Sequence, residues 1–483
     1  MPQSATFQVT FLAILRQRVR GWRFATTLSL LVLSFAISAF ATPAGAQTST
    51  TAAQAGLEPI RKYIADGWDT LTRSLDECKS IVDTKVTTTS VLYMPNDFEV
   101  PPPVQKLQAE CKVEAKHLPI VIHNLGEIDP DKIDPAGLLY LPHKYVVPGG
   151  RFNEMYGWDS YFIIRGLLQD KRIELAQGMV ENFFFEIEHY GAILNANRTY
   201  YLTRSQPPFL TSMILDVYDA KKEAGKEDRA WLETAYGYAV RDHDLWTREP
   251  HLAGSTGLSR YFDFGSGPAP ESLKDETGHL AQVAAYFLSH PEFGREYLIP
   301  QKSRGEAKDY VGPLFAMQVC ESTASTMAKS DCASAGSVSL SADYYKGDRS
   351  MRESGYDIAF RFGPYGVATH HYAPVCLNSL LYKSEEDLAR MADMLGKKKE
   401  SAEWHERAKK RKDAINKYLW NGQRGMFFDY DFTTQKQSTY EYVTTFLPLW
   451  TGLATKDQAA AVVKNVGIFE RPGGLMMSPH ETG

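Results

Sequence analysis

The 483-residue chain has no excess of basic charge: 53 Lys and Arg stand against 58 Asp and Glu. A nucleic-acid surface usually needs a basic patch on a basic domain, so that class of partner is not expected. Cysteine is scarce, five in all, and no C-x-x-C spacing supports a metal site. The sequence contains no G-x-S-x-G, H-E-x-x-H or EF-hand loop, so serine hydrolase and zinc protease readings lose most of their support. It also has no glycine-rich phosphate loop and no strand–helix alternation, so a doubly wound nucleotide binder is not expected. A fixed-period repeat is not visible. Aromatic residues, by contrast, make up 12% of the chain. Rings in this number serve both a large core and sugar-stacking clefts, the core being the default use.

The N-terminus differs from the rest. Arg16, Arg18, Arg20 and Arg23 precede an apolar run from Ala25 to Ala41, followed by Ala44-Gly45-Ala46. This reads as a secretory signal peptide cleaved before Gln47. The run, about 17 residues, is slightly short for a membrane span. A periplasmic or secreted protein is therefore expected, with no membrane attachment after signal removal. Disulfides persist in such compartments, and the nearest pairings are Cys78 with Cys111 and Cys320 with Cys332, leaving Cys376 odd. Residues 47–56 read as a small polar linker and a helix begins near Glu58. The stretch from Cys78 to Cys111, with Val100-Pro101-Pro102-Pro103, reads as extended and irregular.

Beyond residue 150 the dominant period is helical. Ala176, Met179, Val180, Phe183 and Ile187 form one stripe, which Gly191 ends. Further stripes are Trp231, Ala235 and Tyr238; Leu388, Met391 and Leu395 before Gly396; and Trp404, Ala408, Ile415 and Leu419. Few strand signals interrupt them. Long Gly, Pro and aromatic loops lie between, at 144–161, 191–210, 261–275, 343–367 and 466–483, and loops of this length in a compact domain are usually functional. The basic run Lys409-Lys410-Arg411-Lys412 lies among Glu403, Glu406 and Asp413 and reads as a solvated helix face. His370 and His371 are adjacent and should point to different sides, so no metal site is expected there.

Four loops carry residue types suited to chemistry. Residues 148–161, PGGRFNEMYGWDSY, combine three glycines, an arginine, four aromatics, Glu154 and Asp159. Glycines let backbone approach closely, rings offer faces to sugars, and Arg and Asp direct hydrogen bonds to hydroxyls. A buried Arg–Asp pair under a helix start accounts for the same residues. Residues 195–208, NANRTYYLTRSQPP, bring amides and guanidinium groups that suit a polyhydroxylated ligand, or an ordinary surface turn. In Arg352-Glu353-Ser354-Gly355-Tyr356-Asp357, followed by Arg361 and Phe362, Asp357 can be an acid kept protonated by desolvation or a helix N-cap. Gly267 to Ser272 presents Glu271. Hydrolysis of a glycoside by paired carboxylates needs only these residue types.

The segment 148–161 resembles the first signature of the trehalases, glycoside hydrolase family 37, and matches PGGRFxExYxWDxY at every fixed position. NANRTYYLTRSQPPF at 195–209, ESGYD at 353–357, YLWN at 418–421 and PGGL at 472–475 extend the resemblance over roughly 120–483. It implies an all-α fold, the (α/α)6 toroid, with hydrolysis of α,α-trehalose to two glucose molecules by inversion, without metal or organic cofactor. Asp357 then resembles the general acid. Arg151, Trp158, Asp159, Asn195, Arg204, Ser205 and Gln206 resemble sugar-binding residues, and Glu271 and Gly355 correspond to further contacts. Three parts are expected: the signal peptide at 1–46, an N-terminal helix with irregular extension at 47–115, and the catalytic domain at 116–483.

Two positions depart from the family pattern. Ala269 stands where many members have arginine before Pro-Glu. The QWDxPxGW signature and the glutamate base that follow PGGL are expected beyond Gly483, so the domain is expected to lack its last helices. A monomer acting on trehalose is the leading expectation. The alternatives are a non-catalytic disaccharide-binding protein and a related toroidal glycosidase with another substrate.

Overall fold

The computed structural model describes residues 45–82, 89–274, 278–300, 315–319, 334–356 and 358–480. Helix α1 (Gly45–Leu71) opens this part and runs through residues 47–56, which the sequence suggested as a linker. The stretch from Cys78 to Cys111 is more regular than expected. It holds strand β1 (Ser90–Met94) and a helix over Pro102–Glu110, which Pro102 starts at a position where its missing N–H costs nothing. β1 lies parallel between β2 (Val113–His117) and β3 (Leu138–Leu139). All five residues of β1 are buried, as expected for a central parallel strand without polar alternation.

The remainder is built from helical hairpins in the (α/α)6 toroid arrangement. α2 (Asp159–Gln169) and α3 (Ile173–His189) form one pair, and α4 (Leu210–Glu223) with α5 (Arg229–Trp246) another. α6 (His279–Ser289) and α7 (Ala342–Glu353) follow. α8 (Val375–Met394) pairs with α9 (Lys398–Tyr418), and α10 (Lys456–Lys464) comes last. α8 is buried on nearly every side and packs on α4 and α5, whereas α9 buries a single stripe. α8 therefore lies in the inner ring and α9 in the outer.

Local signals account for the helix ends. The stripe Ala176, Met179, Val180, Phe183 and Ile187 is buried in α3. Gly191, just beyond it, adopts φ +83°, and a Cβ there would sit 2.5 Å from the Asn124 carbonyl carbon. Asp228 caps α5 by accepting the Trp231 N–H at 2.9 Å, and Thr455 with Gln458 forms a capping box on α10.

Several sequence expectations need adjustment. Lys409, Lys410 and Lys412 do not reach the core, but Arg411 is buried and donates from Nε to Glu385 Oε1 at 2.8 Å. The basic run is thus a solvated face with one residue turned inward. Cys78 and Cys111 form a disulfide, while Cys376 is a buried free thiol. Cys320 and Cys332 lie outside the described residues. Among the described residues no helix is long and apolar enough to cross a membrane.

α7 and the chain that returns from it form a close hairpin. The turns Pro364–Gly366 and Thr369–His371 lie against the helix. Gly347 meets the returning limb so closely that a Cβ would fall 1.7 Å from the Val367 carbonyl oxygen.

Phe183 has no exposed surface and faces the core shared by α3 and α4. Phe183→Ala should cost about 3–5 kcal/mol, read as a lower denaturation midpoint with an unchanged slope.

Candidate active site

Backbone and side-chain hydrogen bonds join the first two motifs. Gly157 N–H donates to the Asn195 carbonyl at 3.2 Å, and Trp158 N–H to Gln206 Oε1 at 2.9 Å. Met155 N–H donates to Asn197 Oδ1 at 2.8 Å, and a buried Glu154–Arg198 ion pair links the same loops. The third segment joins through Asn195 Nδ2, which donates to the Arg352 carbonyl at 3.4 Å. Gly355 completes the contact. At φ +70° it lies under Trp158, where a Cβ would stand 2.8 Å from the indole, and the Tyr356 ring meets the same indole edge-on at 5.2 Å.

The fourth loop is held by charge. Arg204 is buried and pairs through Nη2 with Glu271 and, at 3.8 Å, through Nη1 with Asp263. Arg352 Nη1 reaches Glu271 at 3.6 Å. Burial alone would raise the Glu271 carboxyl, but the Arg204 and Arg352 charges outweigh it and hold the group at about 2. Two polar atoms in this cluster are buried without a partner among the described residues: Arg204 Nε, a donor, and Glu271 Oε2, an acceptor. Buried polar atoms are normally satisfied, so a donor and an acceptor left over mark a place for a polar ligand or water.

The structure therefore brings Trp158, Asn195, Arg204, Ser205, Gln206, Glu271 and Gly355 together. Their roles differ from a simple set of free donors. Ser205 Oγ is committed to the Ile193 carbonyl at 2.6 Å, and Gln206 Oε1 to Trp158, so both shape the loop. Arg151 is exposed, with its guanidinium over the Phe152 ring. Asp159 begins α2, and burial pushes its carboxyl up to about 6. No ion pair joins Arg151 to Asp159 among the described residues, so the alternative of a buried Arg–Asp pair does not hold. Asp357 lies outside the described residues.

Sequence reasoning assigned no role to Glu353, although it belongs to the quoted ESGYD segment. It is fully buried and accepts the N–H groups of Ser205 at 3.3 Å and Phe262 at 2.6 Å. His251 Nε2 stands 3.4 and 3.3 Å from its two oxygens. His251 and Asp263 were likewise unassigned, because nothing local distinguishes a buried partner from a loop residue. Arg361 forms a buried two-point pair with Asp429, with both contacts at 2.7 Å, and its guanidinium lies 5.6 Å from the centre of the Tyr356 ring.

A separate cavity of about 770 Å³ opens between α2, α4 and α8, lined by Tyr161, Arg165, Asp216, Lys383, Asp387 and Trp450 among others. Among the described residues, none of the sequence-named site residues lines it. Two charge pairs form in its wall, Arg165 with Asp216 at 3.0 Å and Lys383 with Asp387 at 2.8 Å.

Comparison with known proteins gives a consistent picture. The family profile described as Trehalase matches residues 45–290 and 321–482. The cytosolic neutral trehalase of Neurospora crassa is 41% identical over 360 residues, 70% of this chain and 43% of that protein. The cytosolic neutral trehalase of Saccharomyces cerevisiae is 36% identical over 452 residues, 84% of this chain and 55% of that protein. The solved structure of neutral trehalase Nth1 from Saccharomyces cerevisiae aligns with TM-score 0.67 and 34% identity, covering 86% of this chain and 76% of that one. The chain spans about half the length of the curated relatives it matches.

The names of these relatives correct one expectation. They are cytosolic proteins, which overturns the reading of a signal peptide at 1–46 and a periplasmic or secreted location. Basic residues before an apolar run are a compositional signal, and composition alone does not establish export. Residues 1–44 lie outside the described residues.

Glu271→Ala should leave Arg204 and Arg352 short of their shared counter-charge and cost about 3–5 kcal/mol of stability. In the parent, the Glu271 carboxyl lies below its unfolded value. Its contribution is therefore full above about pH 4.5 and is lost as pH falls toward 2. Denaturation followed across that window should show a steeper acid loss in the parent than in the variant.

Proposed function

Because the chain belongs to the trehalase family, we propose that it hydrolyses α,α-trehalose to two glucose molecules with inversion at one anomeric carbon, acting as a monomer. The observation that carries this reading is the convergence of four motif loops, which links the Trp158–Tyr356 ring pair and the Arg204–Glu271 ion pair through the hydrogen bonds of Gln206 and Asn195. Guanidinium and carboxylate groups in such a setting suit the hydroxyls of a small sugar.

Asp357 is the proposed acid, protonating the oxygen between the two sugars. Support for this comes from its match in ESGYD and from the apolar company of Gly355 and Tyr356 next to it in the chain. An inverting mechanism also needs a second carboxylate roughly 6.5–9.5 Å away, with a water between. Arginines near an acid pull its proton off, so their charge must be balanced if the acid is to work. Glu271, ionised between Arg204 and Arg352, supports that balance.

The gene product incubated with α,α-trehalose should release glucose, and proton NMR at early times should show α and β anomers in equal amounts. Absence of glucose would reject the function, and α anomer alone would reject inversion. Asp357→Asn should lower kcat by about 10²–10⁴-fold with trehalose affinity largely kept. Equal rates for variant and parent would reject the acid role.

A further inference from the structure

At the opposite end of α7 from the ESGYD segment, three donor atoms converge. Asp343 lies in the first turn of α7, which Ser341 caps. His370 Nε2 stands 2.9 Å from Asp343 Oδ1, and His371 Nε2 stands 3.7 Å from the same oxygen. A ligand atom from each of the three residues lies within 4.8 Å of the others. The expectation that adjacent histidines point apart fails here. Thr369–His371 is a single 3-10 turn, and the two rings are 4.0 Å apart between centroids.

The turn is anchored from behind. Arg260 Nη1 donates to the His370 carbonyl at 2.9 Å, and Phe432 N–H to the His371 carbonyl at 3.1 Å. His370 is buried, its Nδ1 is enclosed with no partner among the described residues, and its Nε2 faces the carboxylate. His371 is partly open and the Asp343 side chain is half exposed, which leaves a path from solvent. The Asp431 carboxylate and the Arg260 guanidinium both act on His371 from neighbouring segments, with opposite sign.

We infer that Asp343, His370 and His371 bind a divalent cation of the imidazole-preferring class, with zinc as its type and water completing the coordination. Zinc takes nitrogen and oxygen ligands at about 2.0–2.1 Å in a tetrahedron, which sets ligand atoms roughly 3.3 Å apart. The two carboxylate–imidazole separations of 2.9 and 3.7 Å bracket that spacing, and the imidazole pair lies within 4.8 Å. Two imidazoles with one carboxylate favour zinc over magnesium or calcium, which prefer sets of oxygen ligands. The ion would join the first turn of α7 to the limb returning from residue 358, pinning the base of the hairpin whose tip is the ESGYD segment.

Calorimetric titration of untagged protein with zinc chloride should show one saturable site, and saturating zinc should raise Tm by a few degrees. Magnesium chloride should do neither. His371→Ala and Asp343→Asn, both at partly open positions, should weaken zinc binding at least tenfold and remove the Tm shift, with the circular dichroism spectrum unchanged. No saturable zinc binding by the parent would overturn the inference, as would binding and a Tm shift that survive in the double variant. Should a substitution unfold the protein, cobalt decides it in the parent. A visible spectrum altered by protein and restored to that of free cobalt by one equivalent of zinc supports the site, and a spectrum identical to aqueous cobalt throughout overturns it.

Discussion

A carboxylate with no solvent exposure ties the candidate site together. Glu353 closes the C-terminal end of α7 and receives an N–H from Ser205 on one oxygen and from Phe262 on the other, with His251 facing both. A buried carboxylate is costly unless its lone pairs are satisfied, so the fold must deliver those donors together. Ser205 is 148 residues away in the chain. The Ser205 loop, the 251–262 segment and the end of α7 are thereby held in one register. The hydrogen bonds from Gly157, Trp158 and Asn195 then add a fourth segment to a frame already set.

Around this frame the charges alternate. Asp263 receives Arg349 at 3.3 Å and lies 3.8 Å from Arg204, which pairs with Glu271, which in turn meets Arg352. Arg349 also donates to the Gly267 and Pro268 carbonyls at 2.8 and 3.0 Å. The loop bearing Glu271 is thus held from α7, across the loop. This gives a physical setting for Ala269, the position at which many relatives by pattern carry arginine. Its side chain is fully buried here, and guanidinium groups reach the neighbourhood from Arg349 and Arg352 instead.

Much of this was legible in the sequence. The stripe through Phe183 gave its helix and its buried face because a period of 3.6 leaves a direct trace in residue order. Gly191 and Gly396 marked helix ends through left-handed backbone, with φ of +83° and +77°. The motif loops could be named from their residue types, and most of the named residues do meet. What residue order did not carry was pairing across distance. Glu353 was read only as part of a motif, Arg411 only as part of a basic run, and Ser205 as a ligand contact although its hydroxyl serves the Ile193 carbonyl. The parallel strand β1 was missed because a short buried strand has no alternation to betray it. Adjacent histidines were read as divergent because residue order does not reveal a 3-10 turn.

The close approach at Gly347 has a mechanical meaning. Helix and returning limb touch there with no side chain between them, partway from Asp343 to Glu353. Surfaces in backbone contact cannot slide over one another without clashing, and neither limb can bow away while the turns at 364–366 and 369–371 stay packed on the helix. The hairpin is a stiff strut: displaced at its foot, it must pivot whole and carry its tip along.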